Sequence, residues 1–197
     1  VLRTSLWLNE GMGRLSRADR RRQLLDSALE IIRADGTNTL TLVTLAEQAA
    51  VSRPVVYDHF GTREGLLVEL YRDYDQRIVE TIREALAERA RSLGAVASVL
   101  TTAYVDGVLD AGEECEEVFA ALSGSPETRK VLRESREVYI AEFRQALEPF
   151  ARLDLPALTG MLSAVDGLAR AAADNRISRA DAIATASLVV KRLASGR

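Results

Sequence analysis

The sequence predicts an all-α fold. Ala, Leu, Arg and Glu are abundant, β-branched runs are few and there are only four prolines, a composition that favours helices. Apolar residues recur at the 3.6-residue period in segment after segment. Several of those segments start on Ser, Thr or Asp, the residue types that accept a hydrogen bond from the orphan N–H groups of a helix N-terminus. A chain of 197 residues, 47% hydrophobic and 28% charged, can bury a sizeable core and has the composition of a soluble globular protein. No run approaches eighteen consecutive apolar residues, so no membrane span is expected. The single Cys115 excludes an internal disulfide and agrees with a reducing cytoplasm, the expected location.

Residues 1–15 read as a flexible arm, either a plain terminus or a basic tail that tracks a polyanion. Leu6-Trp7-Leu8 is too short for a signal peptide and no small-residue cleavage site follows it, while Met12 is a candidate alternative start. Ser16 and Asp19 have the spacing of a capping box at the start of a first helix. Its buried face is Leu25, Ala28, Leu29 and Ile32, and Gly36 can end it in a left-handed conformation. Arg14, Arg17, Arg20, Arg21 and Arg22 gather near its start. Cations there oppose the helix dipole, at a few tenths of a kcal/mol each, unless they serve as a positive field for phosphates.

The stretch Thr41 to Phe60 is the centre of the argument. Thr41 caps a short helix with Leu42, Leu45, Ala46 and Ala49 on one face. Ser52 is expected to cap a second, in which Pro54 is tolerated because it lies in the first turn, and Val56 and Phe60 form an i, i+4 apolar pair. Two helices of about two turns joined by three or four residues make a helix-turn-helix, whose second helix enters the DNA major groove. With Val56 and Phe60 turned inward, Arg53, Pro54, Val55, Asp58 and His59 face outward and Tyr57 lies at the flank. Arg53 can fork onto O6 and N7 of a guanine, and Pro54 and Val55 offer apolar contact to a thymine methyl. Thr41, Ser52, Tyr57 and His59 can hydrogen-bond phosphates, and Arg63 completes the candidate DNA-contacting set. Asp58 fits less well, and either accepts from a cytosine amino group or folds back on Arg53 or Arg63.

This region resembles the tetracycline-repressor (TetR) family of transcriptional regulators. The resemblance is carried by Thr41, Leu45, Ala46, Ala49, Val51, Ser52, Tyr57, His59, Phe60, Glu64 and Leu67, and covers roughly residues 17 to 70. One departure is Ala50, where the family often has glycine in the turn; alanine there implies a negative φ or a small strain. The resemblance implies a ligand-responsive regulator in which the fourth helix carries an effector-induced tilt to the DNA-binding head.

That fourth helix is expected from Arg63 to near Ser92, after a Thr62 cap, with Leu67, Leu70, Tyr71, Tyr74, Ile78, Ile82 and Leu86 as its stripe. At 1.5 Å per residue, some thirty residues span about 45 Å. Five further helices are expected at about 95–111, 114–123, 126–151, 155–174 and 178–195. Leu158, Leu162, Val165 and Ala169, then Ile183, Ala186, Val190 and Leu193, form apolar seams rich in small residues, read as a four-helix dimer interface; a monomer burying the same stripes is the alternative. Tyr104, Phe119, Tyr139, Phe143 and Met161 are candidate walls of an apolar effector cavity. Asp166, which interrupts an apolar face, is a candidate polar anchor or a partner for Arg170 at i+4.

The domains are therefore an arm (1–15), a helix-turn-helix DNA-binding domain (16–62) and an effector-binding and dimerisation domain (63–197), the fold being an N-terminal three-helix head joined by a long helix to a C-terminal helical ligand-binding domain. The expected function is that of a homodimeric repressor, released from a palindromic double-stranded operator by a small hydrophobic effector; a helical protein-protein scaffold is the alternative. Charge placement is compatible with DNA, since residues 1–65 carry nine arginines against eight acidic groups and the remainder 17 basic against 21 acidic. An enzyme is disfavoured. His59 is the only histidine, Cys115 has no histidine to activate it, and no Gly-rich phosphate loop or metal-ligand spacing occurs, so no cofactor or metal is expected.

Overall fold

The computed structural model describes residues 15–89 and 92–196. The expected arm therefore lies, apart from Leu15, outside the described residues, and so do Met12 and Arg14. Among the described residues nine α-helices form and no strand does: α1 (Arg17–Asp35), α2 (Leu42–Gln48), α3 (Arg53–Phe60), α4 (Arg63–Arg89), α5 (Leu93–Asp110), α6 (Gly112–Leu122), α7 (Pro126–Leu147), α8 (Leu155–Ala173) and α9 (Arg179–Ala194), with a 3-10 turn over Thr37–Thr39 between α1 and α2. The chain divides into two compact units between Arg63 and Glu64.

In the first unit Ser16 caps α1 by accepting the Asp19 N–H at 3.1 Å. The helix buries Leu24, Leu25, Ala28, Ile31 and Ile32 and stops at Gly36, whose φ of 78° favours glycine. Leu40 is fully buried after the 3-10 turn. Thr41 and Thr44 then cap α2 reciprocally, each side chain accepting the other's backbone N–H. Leu42, Leu45, Ala46, Val56 and Phe60 close the core of this unit, with α2 packed on both α1 and α3. Each fully buried Leu or Phe contributes about 1.5–3 kcal/mol.

The turn between α2 and α3 is a Schellman motif. Val51 N–H donates to Ala46 C=O at 3.0 Å and Ala50 N–H to Glu47 C=O at 3.2 Å. Ala50 consequently sits at φ 51°, so of the two outcomes open in the sequence, negative φ or strain, the structure has strain. A left-handed alanine costs about 1–2 kcal/mol, of which a glycine would return part to the unfolded chain's greater entropy. Ala50→Gly is expected to raise stability by about 0.5–1 kcal/mol, read as a higher midpoint in thermal unfolding. A lower midpoint would mean that Ala50 is not strained in this turn.

In the second unit α5 is the central helix, packed on α8 and α9. Its composition and length would also suit a membrane span. Here Val96, Ala97, Leu100, Ala103, Tyr104 and Val105 are buried in the core, and Thr101 satisfies its buried hydroxyl by donating to Ala97 C=O at 2.8 Å. Helices α4 and α5 meet closely at Gly107, where a Cβ would lie 2.5 Å from Ile78 Cγ1. The Tyr74 hydroxyl donates to the Gly107 carbonyl at the same crossing, at 2.9 Å. Helix α7 stops at Leu147, four residues short of the expected end: Glu148 still has helical angles and donates to Arg144 C=O, but Pro149 has no N–H to carry the ladder on.

The seams assigned to a dimer are internal. Leu158, Leu162, Val165, Ala169, Ala186 and Val190 are each at most 1% exposed within a single chain, so no partner can reach them. They pack α8 and α9 on one another and on α5, the apolar helix that takes the place given to a second chain. Ile183 is half-buried, and Leu193 alone of the eight is exposed, at 40%. The outward face of α8 is a different stripe: Pro156, Gly160, Ser163 and Gly167, all exposed, with open space where a Cβ would stand at both glycines. Leu155 and Leu188 are 51% and 49% exposed on α8 and α9.

Candidate nucleic-acid interface and ligand chamber

The surface of α3 follows from its two buried residues. With Val56 and Phe60 inside, Arg53, Pro54, Tyr57 and Asp58 are exposed and Val55 and His59 half-buried. Ser52 occupies the N-cap position, but its hydroxyl makes no capping bond, contrary to the expected cap. Ser52 and Thr41 are both exposed, and the Thr41 hydroxyl is engaged in the box that caps α2.

Two charged residues behave differently from the sequence reading. Two nitrogens of Arg63 are spent inside the protein: Nε donates to Leu40 C=O at 2.8 Å and a terminal nitrogen to Thr37 C=O at 2.6 Å. Arg63 thus fixes the turn that starts α2, so the place given to it among the outward DNA contacts is corrected to one of positioning. Asp58 pairs with neither Arg53 nor Arg63 but with Arg17 of α1, at 2.9 Å, and Arg17 also donates to the Asp58 carbonyl at 3.3 Å. Arg53 lies 3.5 Å from Glu47 with both side chains over 60% exposed, a pair that is easily exchanged for another acceptor. Burial and the nearby arginines, Arg17 foremost, lower the His59 pKa, which favours the neutral ring.

The second unit holds a chamber. A cavity of about 300 Å³ is lined by Tyr71, Tyr104, Phe119, Tyr139, Asp166 and Arg170 among others. A second, of about 330 Å³, is lined by Asp75, Gln76, Val79, Ser135, Val138 and Tyr139 among others. A small space of about 40 Å³, bordered by Tyr71, Tyr74, Asp75, Tyr104, Cys115 and Tyr139, shares residues with both. Tyr104 and Tyr139 meet edge to face, ring centres 5.2 Å apart.

Of the proposed lining residues, Tyr104, Phe119, Tyr139 and Asp166 border these spaces. Phe143 and Met161 do not; both are 0% exposed core, Phe143 packed edge-on to Tyr104 with ring centres 6.5 Å apart. Asp166 is fully partnered, accepting from the Tyr104 hydroxyl at 3.0 Å and from Arg170 Nε at 3.2 Å. Arg170 also pairs with Glu116, and its guanidinium carbon lies 4.5 Å from the centre of the Phe119 ring.

Tyr71, Tyr74 and Asp75 on α4 were missed as chamber residues. Asp75 accepts from the Tyr139 hydroxyl at 3.0 Å and from the Ser135 hydroxyl. Burial outweighs those bonds and pushes its carboxyl up to about 6. Burial also raises the phenols of Tyr71, Tyr74, Tyr104 and Tyr139, so all four remain protonated donors. The Cys115 thiol is pushed up to about 12, mainly by burial, which leaves it a poor nucleophile.

The model of the family of bacterial regulatory proteins, tetR family, matches residues 24–70. The transcriptional regulator BetI of Cronobacter sakazakii is 33% identical over 162 residues, which cover 76% of this chain and 77% of BetI. The chain belongs to the TetR family. Solved TetR-family structures share its fold: a regulator from Syntrophomonas wolfei aligns at a TM-score of 0.77 and 16% identity over 92% of this chain and 97% of that one. The multidrug binding protein EbrR, solved with imidazole, aligns at 0.71 and 20% over 94% and 96%. This TetR-family protein is therefore a DNA-binding transcriptional regulator with a helix-turn-helix head, and not an enzyme.

Proposed function

We propose that this TetR-family regulator is a cytoplasmic repressor that binds a palindromic operator as a homodimer and releases it when a small, largely apolar molecule enters the chamber. The observation that carries the reading is α4. It starts three residues after the recognition helix α3 ends and supplies Tyr71, Tyr74 and Asp75 to the chamber, so one continuous helix follows the reading head and walls the ligand site. EbrR with its imidazole supports a small-molecule site on this fold.

On the DNA side Arg53, Pro54 and Val55 read base edges, and Thr41, Ser52, Tyr57 and His59 hold phosphates. On the dimer side the outward stripe of α8 and the exposed Leu155 and Leu188 form the seam, small residues letting two helices approach closely. Two heads about 34 Å apart then meet successive major grooves.

The test is selection of bound DNA from a random pool, followed by a screen for compounds that release it. Affinity for the selected site must fall steeply with salt. Arg53→Ala is expected to cost about 1–3 kcal/mol on that site and to relax preference at one base position. An equal loss on all sequences would refute base reading by Arg53 and leave it a phosphate contact.

A further inference from the structure

Asp75 is the group in the chamber that the fold leaves uncompensated. Its partners are two hydroxyls, those of Tyr139 and Ser135. The carboxylates around it are ion-paired: Asp166 and Glu116 with Arg170, Glu142 with Arg83, and Glu134 with Lys130. The two arginines that border the same cavity as Asp75 are already engaged, Arg83 by Glu142 and Arg72 by Glu69. Asp75 is half-buried, an ionised group withdrawn from much of the water without a charged partner is costly, and a cavity opens beside it. That cavity, of about 330 Å³, has Tyr139 as its aromatic wall, and the adjoining space of about 40 Å³ is bordered by Tyr71, Tyr74 and Tyr104 together with the ion-paired Arg170. Aromatic rings attract cations through their electron-rich faces, most strongly where water is excluded.

We propose that the cavity beside Asp75 takes an organic cation, an ammonium or related onium group on an apolar body, with Asp75 as its counter-ion and Tyr139 as its aromatic wall. The inference rests on the ligand-responsive reading above and narrows it to one charge class. Arg170 already displays the same recognition within the chamber, a guanidinium held over Phe119 between two carboxylates. The carboxyl pushed up to about 6 agrees, since burial is the dominant cause and no positive charge is among the others. An anionic effector is the competing class, because Arg129, Arg133 and Arg136 border the neighbouring cavity. Arg129 and Arg133 are exposed, where solvent screens their charge, and Arg136 donates to Ser163. An anion reaching past them would meet the Asp75 carboxylate.

The test is calorimetric titration of the full chain at pH 7.5 with benzyltrimethylammonium, its neutral isostere neopentylbenzene, and the anion 3-phenylpropionate. Tetraphenylphosphonium and tetraphenylborate serve as a larger matched pair. At least one cation is expected to bind about tenfold or more tighter than its neutral or anionic counterpart. Asp75→Asn is expected to erase that preference while the variant, checked by its thermal transition, stays folded. A neutral or anionic probe binding as tightly as its cation, a preference that survives Asp75→Asn, or no binding by either cation overturns the proposal. Release of the selected operator by neutral or anionic probes alone would leave the ligand-responsive reading standing and sink only the charge assignment. No binding and no release by any probe would count against both.

Discussion

Leu188→Glu is expected to convert the proposed dimer to monomers and to lower affinity for the selected operator by about 100-fold or more. Leu188 is 49% exposed on α9, pointing away from the face that buries Ala182, Ala186 and Val190. In an isolated chain such a surface change alters stability by less than about 0.5 kcal/mol, so the fold should survive. In a two-fold interface the same patch meets itself, and one substitution brings two carboxylates into one dry seam. Losing the second head converts an intramolecular second contact into an independent one, and linked binding typically strengthens affinity by about 10²–10⁴-fold. Mass by light scattering and affinity by fluorescence anisotropy read the two effects separately. Ala186→Glu is the contrasting variant: with that residue 0% exposed, it should unfold the second unit rather than dissociate it. A Leu188→Glu protein that stays dimeric with unchanged operator affinity would place the dimer seam elsewhere.

The contrast between those two positions marks what the sequence could express. The head was legible because its determinants are local: Thr41 meets Thr44, Val56 meets Phe60, and the α2–α3 turn closes within six residues. The stripes on α8 and α9 were equally legible as stripes. Their partner was not, since a period identifies an apolar face and not what covers it, and the cover is α5, which ends at Asp110, 45 residues before α8 begins at Leu155. Phe143 and Met161 failed for the same reason: aromatic and sulfur side chains at helical spacing look alike in a core and in a cavity wall. Arg63 needed two carbonyls exposed by the 3-10 turn, which no spacing announces. Asp75 did leave a signal. It lies four residues after Tyr71 and three before Ile78, on the apolar face of α4, and so interrupts that face as Asp166 interrupts its own.

Asp75→Asn is expected to stabilise the protein at neutral pH and to do so less as the solution is acidified. Burial raises this carboxyl from 3.8 in its ordinary setting to about 6 in the folded chain. The folded state therefore binds more protons than the unfolded one between those values. The stabilisation owed to the protonated carboxyl is fully present below about 3.8 and is lost as pH rises through about 6. Above that, the ionised group costs the fold up to about 3 kcal/mol, at 1.36 kcal/mol for each unit of difference. Asparagine keeps an oxygen for the Tyr139 and Ser135 hydroxyls and carries no charge. The variant should be more stable by about 1–3 kcal/mol at pH 7.5, with the advantage shrinking towards zero near pH 4, as denaturant titrations at several pH values would show. A gap that does not change with pH would mean that Asp75 is compensated by a charge, and would weaken its role as a counter-ion. Because the cost in the native chain is that of an unpaired carboxylate, a bound cation relieves it and adds its own binding energy to the folded state. Saturating benzyltrimethylammonium should therefore raise the stability of the native protein at pH 7.5 more than that of the variant, bringing the two together.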